Sequence, residues 1–243
     1  MADLDALIED LVAANRILAN ENVVDAFGHV SARYPGNAGR YLMSRAKSPE
    51  LVEPGDIMEF TLEGAPCNAD GRKPYLERFI HGALYEARSD IQCVIHNHSR
   101  SVIPFGISGE KLRPVMHSCA TIGHEVPVWD AQDTFGDTDL LISDMPMGRD
   151  FARTVGGGTC ALMRGHGCTV AGRSIREAVY TAVYLELNAD LQWKASHFGK
   201  LKFLSRGEIE KINSRLGQAK PGEGYDRTWE YWRHRAEIGS VRR

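Results

Sequence analysis

The apolar positions of this chain recur with two periods, one typical of helices and one typical of strands. A stripe of leucine and isoleucine at helical spacing predicts a first helix over residues 4–20. Ser174-Ile175-Arg176-Glu177 has the sequence of a capping box, which marks the start of the longest helix. The other predicted helices cover 75–88, 147–155, 174–199, 207–217 and 225–238.

Shorter apolar runs, bounded by turn residues, predict strands between these helices. Residues 27–33 are expected to be a glycine turn leading into a strand, and further strands cover 40–44, 57–62, 92–98, 125–129, 140–142, 160–163 and 168–171. We find no internal repeat, linker or low-complexity segment in the sequence. The pattern therefore predicts a single α/β domain over residues 1–243, with mixed or antiparallel strands and a C-terminal helical segment over about 207–243.

Composition excludes several classes of function. The 243 residues carry a formal net charge of −3, with 43% apolar and 25% charged residues. The absence of a basic surplus argues against nucleic-acid partners, and no apolar run approaches the roughly 18 residues that span a bilayer. The five cysteines form no C-x-x-C pair and are expected to be free thiols. The acidic N-terminus resembles no signal peptide, so the expected location is the cytoplasm.

The segment Val94-Ile95-His96-Asn97-His98-Ser99 is the strongest chemical signal in the sequence. Side chains alternate between the two faces of a strand, so His96 and His98 are expected to point the same way. Two imidazoles on one face form half of a metal site, although an exposed strand or a core pair would look the same.

Two further residues strengthen the metal interpretation. Glu77 lies upstream, where the helical pattern puts it one turn before His81, and His166 stands in an Arg-Gly-His-Gly turn. Each has a simpler alternative, because Glu77 can pair with His81 on a helix surface and His166 can sit in a glycine turn. Taken together, three histidines and a nearby carboxylate are the layout of a catalytic metal with an open position.

The order of these motifs resembles the class II aldolase/adducin family over about residues 5–205. The residues that carry the resemblance are Gly28-His29-Val30-Ser31 with Arg33, then Glu77, then His96-Asn97-His98, then Gly165-His166-Gly167. The resemblance implies that the three histidines bind one divalent ion per subunit, with Zn or Mn as the first candidates and Fe or Co as alternatives, and that Glu77 is the catalytic acid/base. It also implies a central mixed, largely antiparallel sheet flanked by helices. A homotetramer with interfacial active sites is the implied assembly.

The chain departs from the sugar-phosphate aldolases of this family at two motifs. His29 stands where they carry Asn, and Tyr75-Leu76 stands where two serines would hold a phosphate. Arg45 follows the second strand and is suited to bidentate capture of a carboxylate. The candidate substrate-binding residues are His29, Ser31, Ser44, Arg45 and, in the aromatic C-terminal segment, Tyr231.

Segments 25–31, 44–45, 101–106 and 229–232 look most like the branch of metal-dependent decarboxylases that act on hydroxy-methylpyridine-dicarboxylate or dihydroxyphthalate. The implied function is a metal-dependent carbon–carbon lyase that decarboxylates a hydroxylated aromatic or heteroaromatic (di)carboxylate through a metal-stabilised enolate. One alternative is an aldolase acting on a non-phosphorylated hydroxy-keto acid. The other is a non-catalytic adducin-like interaction module, against which the retained histidines and Glu77 argue.

Overall fold

A seven-stranded mixed sheet forms the centre of the protein in the computed structural model, which describes residues 2–241. The strands are β1 (His29–Arg33), β2 (Arg40–Ser44), β3 (Ile57–Thr61), β4 (Cys93–Asn97), β5 (Val128–Trp129), β6 (Cys160–Met163) and β7 (Gly167–Gly172). Their order across the sheet is β3-β2-β1-β4-β7-β6-β5. All neighbouring pairs are antiparallel except β5 and β6. The expected mixed, largely antiparallel sheet is confirmed.

Helices lie on both faces of this sheet. They are α1 (Ala2–Asn20), α2 (Arg78–Ala87), α3 (Ile103–Ser108), α4 (Ala131–Phe135), α5 (Met145–Val155), α6 (Ile175–Ser196), α7 (Arg206–Gly217) and α8 (Tyr225–Val241). Short 3-10 turns occur at Pro49–Leu51, Pro54–Asp56 and His117–Ile122. The six predicted helices are all present, whereas the short helices α3 and α4 were not predicted, because one or two turns carry too little periodicity.

The alternation of side chains along the strands produces two apolar cores. On β4, Cys93 and Ile95 pack into the core shared with α1, α6 and α8. Val94, between them, packs into the second core with α2 and α5. His96 has the same parity as Val94, so it faces the α2 and α5 layer, as do His29 and Ser31 on the neighbouring strand β1.

Two strand predictions are corrected by the structure. Leu140-Leu141-Ile142 is not a strand, because Leu140 has a left-handed backbone (φ 66°) that breaks the extended conformation. The predicted strand 125–129 is reduced to Val128–Trp129 at the sheet edge. Within this run, Ile142 is fully buried in the second core.

Candidate metal centre

Three imidazole nitrogens meet at one end of β4. His96 lies on the strand and His98 directly follows its end, while His166 lies in the turn between β6 and β7. The Nε2 atom of His98 is 3.2 Å from Nε2 of His96 and 3.1 Å from Nε2 of His166. Nitrogen ligands at 2.0–2.1 Å from one ion are about 2.8–3.0 Å apart at octahedral angles and about 3.3–3.4 Å apart at tetrahedral angles. The spacing therefore fits three ligands on one face of a divalent ion.

Glycine allows the His166 turn to approach β4 closely. Gly165 has a left-handed backbone (φ 68°), which turns the chain between the two strands. A Cβ atom on Gly167 would lie 2.2 Å from the carbonyl oxygen of Asn97. The turn can therefore lie against the end of β4 only without a side chain at this position, and that contact brings His166 to His98.

Glu77 supplies a fourth donor beside the histidines. The structure places it at the residue before α2, which begins three residues later than predicted. Its Oε2 atom is 3.5 Å from Nε2 of both His96 and His166. Its Oε1 atom accepts a hydrogen bond from the backbone N–H of Ile142 (3.2 Å). The ligand atoms of the four residues all lie within 4.8 Å of one another.

Burial sets the protonation of these groups. It raises the pKa of Glu77 to about 7, against the opposing hydrogen bond from Ile142. Burial, aided by the other histidines, lowers the pKa of His96 well below its usual value, and it lowers the pKa of His166 to about 4. The rings are therefore neutral near pH 7, which is the form of imidazole that binds a metal ion.

A buried polar chain lies behind His96. In the register of β1 and β4, His29 is directly opposite His96, and their ring centroids are 5.1 Å apart. Nδ1 of His29 is 2.6 Å from Nε2 of His81. Nδ1 of His81 is 2.6 Å from Oγ of Ser31, which is 2.8 Å from the hydroxyl of Tyr85. Ser31 is fully buried and its hydroxyl is used within this chain.

Sequence reasoning missed His81 and Tyr85. It considered His81 an ordinary histidine, or a surface partner of Glu77. In the structure Glu77 contacts the metal-competent histidines, while His81 contacts His29 and Ser31. His81 and Tyr85 lie four residues apart on the buried face of α2. Ordinary apolar core residues of a helix have the same spacing, so the sequence does not distinguish these two from them.

Ser44 ends β2 and Arg45 follows it, both close to Tyr75. The Tyr75 ring is 4.6 Å from the His29 ring, measured between centroids. Burial raises the pKa of Tyr75, while the nearby Ser44 hydroxyl, the backbone of Lys47 and the charge of Arg45 oppose the rise. Nε of Arg45 donates to Oδ1 of Asp56 (2.6 Å), so this cation is already paired with an acid.

Phe27 and Asp25 border the cluster on its open side and were not predicted as site residues. The Phe27 ring is 65% exposed and its centroid is 6.3 Å from that of His98. Oδ1 of Asp25 is 3.8 Å from Nδ1 of His98 and accepts a hydrogen bond from the Phe27 N–H. An exposed apolar ring beside a metal-competent histidine is a surface on which a planar substrate can stack.

Tyr231 points away from the described chain. It lies on α8 and is 57% exposed, and its hydroxyl accepts a hydrogen bond from Arg235. The flanking Trp229 and Trp232 are buried in the core with α1 and α6. Within one copy of the chain, Tyr231 therefore faces outward while its neighbours hold α8 in place.

Comparison with known proteins identifies the family of this fold and site. Residues 9–193 match the Class II Aldolase and Adducin N-terminal domain, and the chain belongs to this family. It is 34% identical to Decarboxylase tropJ of Talaromyces stipitatus over 198 residues, which cover 76% of this chain and 74% of the relative. It is 27% identical to the 3,4-dihydroxyphthalate decarboxylase of Arthrobacter keyseri over 242 residues, covering 93% and 91%.

Solved structures support the same fold. The crystal structure of an aldolase II superfamily protein from Pseudomonas syringae matches with a TM-score of 0.79 at 22% identity, covering 97% of this chain and 93% of that chain. Within the part of the chain that the structure describes, no helix is long and apolar enough to cross a membrane.

Proposed function

We propose that this protein is a metal-dependent carbon–carbon lyase that decarboxylates a hydroxylated aromatic or heteroaromatic (di)carboxylate. The observation that carries the proposal is the facial arrangement of three neutral imidazoles with Glu77 beside them. Similarity to two decarboxylases over most of the chain supports this reaction over others in the family.

His96, His98 and His166 are the residues that would hold the ion, since their Nε2 atoms have the mutual spacing of ligands. A bound divalent ion supplies a Lewis acid that stabilises negative charge on a substrate oxygen. Zn and Mn are the proposed ions, because imidazole ligands with a nearby carboxylate suit both.

Glu77 is the proposed proton carrier. The Ile142 N–H fixes one carboxyl oxygen, which leaves Oε2 directed at the histidine cluster. Decarboxylation leaves an electron pair on the ring carbon that lost CO₂, and this carbon must then take a proton. A buried carboxylic acid held at a fixed position can deliver that proton.

The borders of the site fit an aromatic carboxylate better than a sugar phosphate. Phe27 offers a face for a planar ring, and Tyr75-Leu76 supplies none of the paired hydroxyls that would hold a phosphate. Asp56 uses only Nε of Arg45 in the described structure, so the terminal nitrogens remain for a carboxylate. His29 and Ser44 complete this side, and Ser31 acts from behind His29 rather than by direct contact.

A substrate panel tests the proposal. Protein loaded with Zn or Mn is incubated with hydroxyarene dicarboxylates and with non-phosphorylated hydroxy-keto acids, and released CO₂ and aldehyde are measured separately. We expect CO₂ from the hydroxyarene dicarboxylates. Aldehyde from the hydroxy-keto acids, without CO₂, would replace the decarboxylase with the aldolase alternative. Turnover of neither class by fully metal-loaded protein would favour the interaction module.

A further inference from the structure

The buried chain from Tyr85 through Ser31 and His81 to His29 has a defined direction. Its three contacts are 2.6–2.8 Å long and all four side chains are buried. Each contact needs one hydrogen, and the directions of the two contacts of His81 are linked, because a neutral imidazole carries one N–H and one bare nitrogen.

Three hydrogen arrangements are possible for neutral groups, because a hydroxyl can accept two hydrogen bonds. In the first, the Tyr85 hydroxyl donates to Ser31, Ser31 donates to Nδ1 of His81, and Nε2–H of His81 donates to Nδ1 of His29. In the second, every bond is reversed and the Tyr85 hydroxyl hydrogen needs another acceptor. In the third, Ser31 accepts from both Tyr85 and Nδ1–H of His81, and the Ser31 hydroxyl hydrogen needs another acceptor. Among the described residues, Ser31 is the only hydrogen-bond partner of the Tyr85 hydroxyl, and Tyr85 and His81 are the only partners of the Ser31 hydroxyl.

The second and third arrangements therefore each leave a buried O–H without a partner, which typically costs about 1–3 kcal/mol. The first satisfies every donor between Tyr85 and Nδ1 of His29. It also requires Nδ1 of His29 to be an acceptor, so the single ring hydrogen of His29 must be on Nε2.

We propose that Tyr85, Ser31 and His81 are positioning residues that fix His29 as its Nε2–H tautomer, so that a neutral donor faces an anionic oxygen of the substrate at the metal centre. This inference rests on the proposed function for the identity of the substrate, but not for the tautomer. The hydrogen-bonded chain ends at His29, whose ring packs against that of His96 on β4. Nδ1 of His29 is used by His81, so Nε2 is the remaining polar atom of the His29 ring.

The same chain makes His29 a hydrogen-bond donor and not the acid of the reaction. If His29 gave up its Nε2 proton, protons would have to move along the hydrogen-bonded chain toward His29 to replace it. The last donor in that chain is Tyr85, which would lose its hydroxyl proton. Burial raises the pKa of Tyr85 well above its usual value, and Cys93 adds to the rise. A buried phenolate is therefore excluded as the end of a proton relay, and the proton transfer stays with Glu77.

The first test reads the tautomer directly. Zinc-loaded protein with ¹⁵N-labelled histidine rings is examined by NMR, and the His29 signals are assigned by their loss in His29→Phe. We expect the proton on Nε2 and an acceptor signal at Nδ1. A proton on Nδ1, on both nitrogens, or an averaged signal overturns the proposal whatever reaction the protein performs.

The second test compares two substitutions of His81. His81→Leu removes the donor to His29, while His81→Gln keeps an amide N–H that can reach Nδ1. Titration calorimetry with 3,4-dihydroxyphthalate is the readout, with metal content measured in parallel. We expect about tenfold weaker binding or worse in His81→Leu, near wild-type binding in His81→Gln, and unchanged zinc in both.

Other results have distinct meanings. Equal binding in both variants, or zinc lost together with binding, would make His81 a structural residue only and overturn the proposal. If His81→Leu does not fold, the comparison of His81→Gln with wild type and the wild-type tautomer decide the question. If the wild-type protein binds no dicarboxylate, the proposed substrate fails, while the tautomer is still decided by the NMR spectrum.

Discussion

His96 is the most constrained of the candidate ligands. It is fully buried, with His29 opposite it on one neighbouring strand and Thr169 opposite it on the other. In this position Nε2 of His96 faces the other groups of the candidate metal centre.

Replacing this ring tests whether the cluster holds an ion. We expect His96→Ala to bind zinc at least about tenfold more weakly than wild type, because one of three nitrogen ligands is lost. Elemental analysis after dialysis against a zinc buffer measures this, with the exposed His234→Ala as the matched control. Full occupancy in His96→Ala would remove the residue from the ligand set.

Glu77 is distinguished from the histidines by its expected role in turnover. Gln keeps the shape and can still accept the Ile142 N–H, but it cannot carry the proton. Glu77→Gln should therefore retain the fold and the zinc but lose about 10²–10⁴-fold in kcat. Glu86→Gln, which changes an exposed carboxylate of α2 paired with Arg149, is the control and should remain active. A kcat near that of wild type in Glu77→Gln would contradict the assignment.

At the scale of elements, the geometry of the centre depends on how the β6–β7 turn meets β4. Gly167→Ala places a methyl group against the Asn97 carbonyl, so the turn must move and carry His166 away from His98. We expect weaker zinc binding together with about 1–3 kcal/mol lower free energy of unfolding. Gly157→Ala, where a Cβ atom meets nothing within 4 Å, is the matched control. Both quantities follow from zinc titration and urea denaturation.

The connection between β2 and β3 depends on one carboxylate. Burial alone would raise the pKa of Asp56, but hydrogen bonds from Lys47 and Arg45 outweigh it and lower the pKa to about 2. The resulting stabilisation is present above the unfolded pKa, near 4, and is lost as the pH falls through about 2.

Asp56→Asn should therefore lower the free energy of unfolding by about 1–2 kcal/mol at pH 7, a value reduced for the exposure of Arg45. The difference from wild type should shrink below pH 4. Urea denaturation at pH 7 and pH 3 measures this, with the exposed Asp70→Asn as a control. A difference that stays constant with pH would mean that the charge of Asp56 contributes nothing.

At the scale of the molecule, we expect a homo-oligomer, a tetramer by resemblance to the family. Exposed large side chains on one copy are consistent with further contacts, notably Trp193 at 56% and Phe198 at 92% exposure. Tyr231 is also directed outward, where a neighbouring copy can meet it. Analytical ultracentrifugation at assay concentration measures the state, and an active monomer would contradict the prediction.

Much of this molecule follows from local patterns in the sequence. The helices and most strands can be predicted because each buries one apolar face. The His-x-His pair can be predicted as a metal-binding candidate because its spacing matches the period of a strand. The run 140–142 was assigned wrongly, since it is a loop in which Ile142 packs into the second core and its N–H donates to Glu77. His81, Tyr85 and Phe27 were missed because their roles depend on how β1, β4 and α2 meet, which no local window contains.

The separation of the ligands along the chain has a consequence for folding. His96 and His98 are two residues apart along the chain, but His166 joins them only after β4 and β7 have paired. An unfolded chain therefore holds only two of these ligands near each other, while the completed sheet holds three and a carboxylate. We therefore expect ion binding to favour the folded state by mass action and the midpoint of thermal unfolding to rise with free zinc.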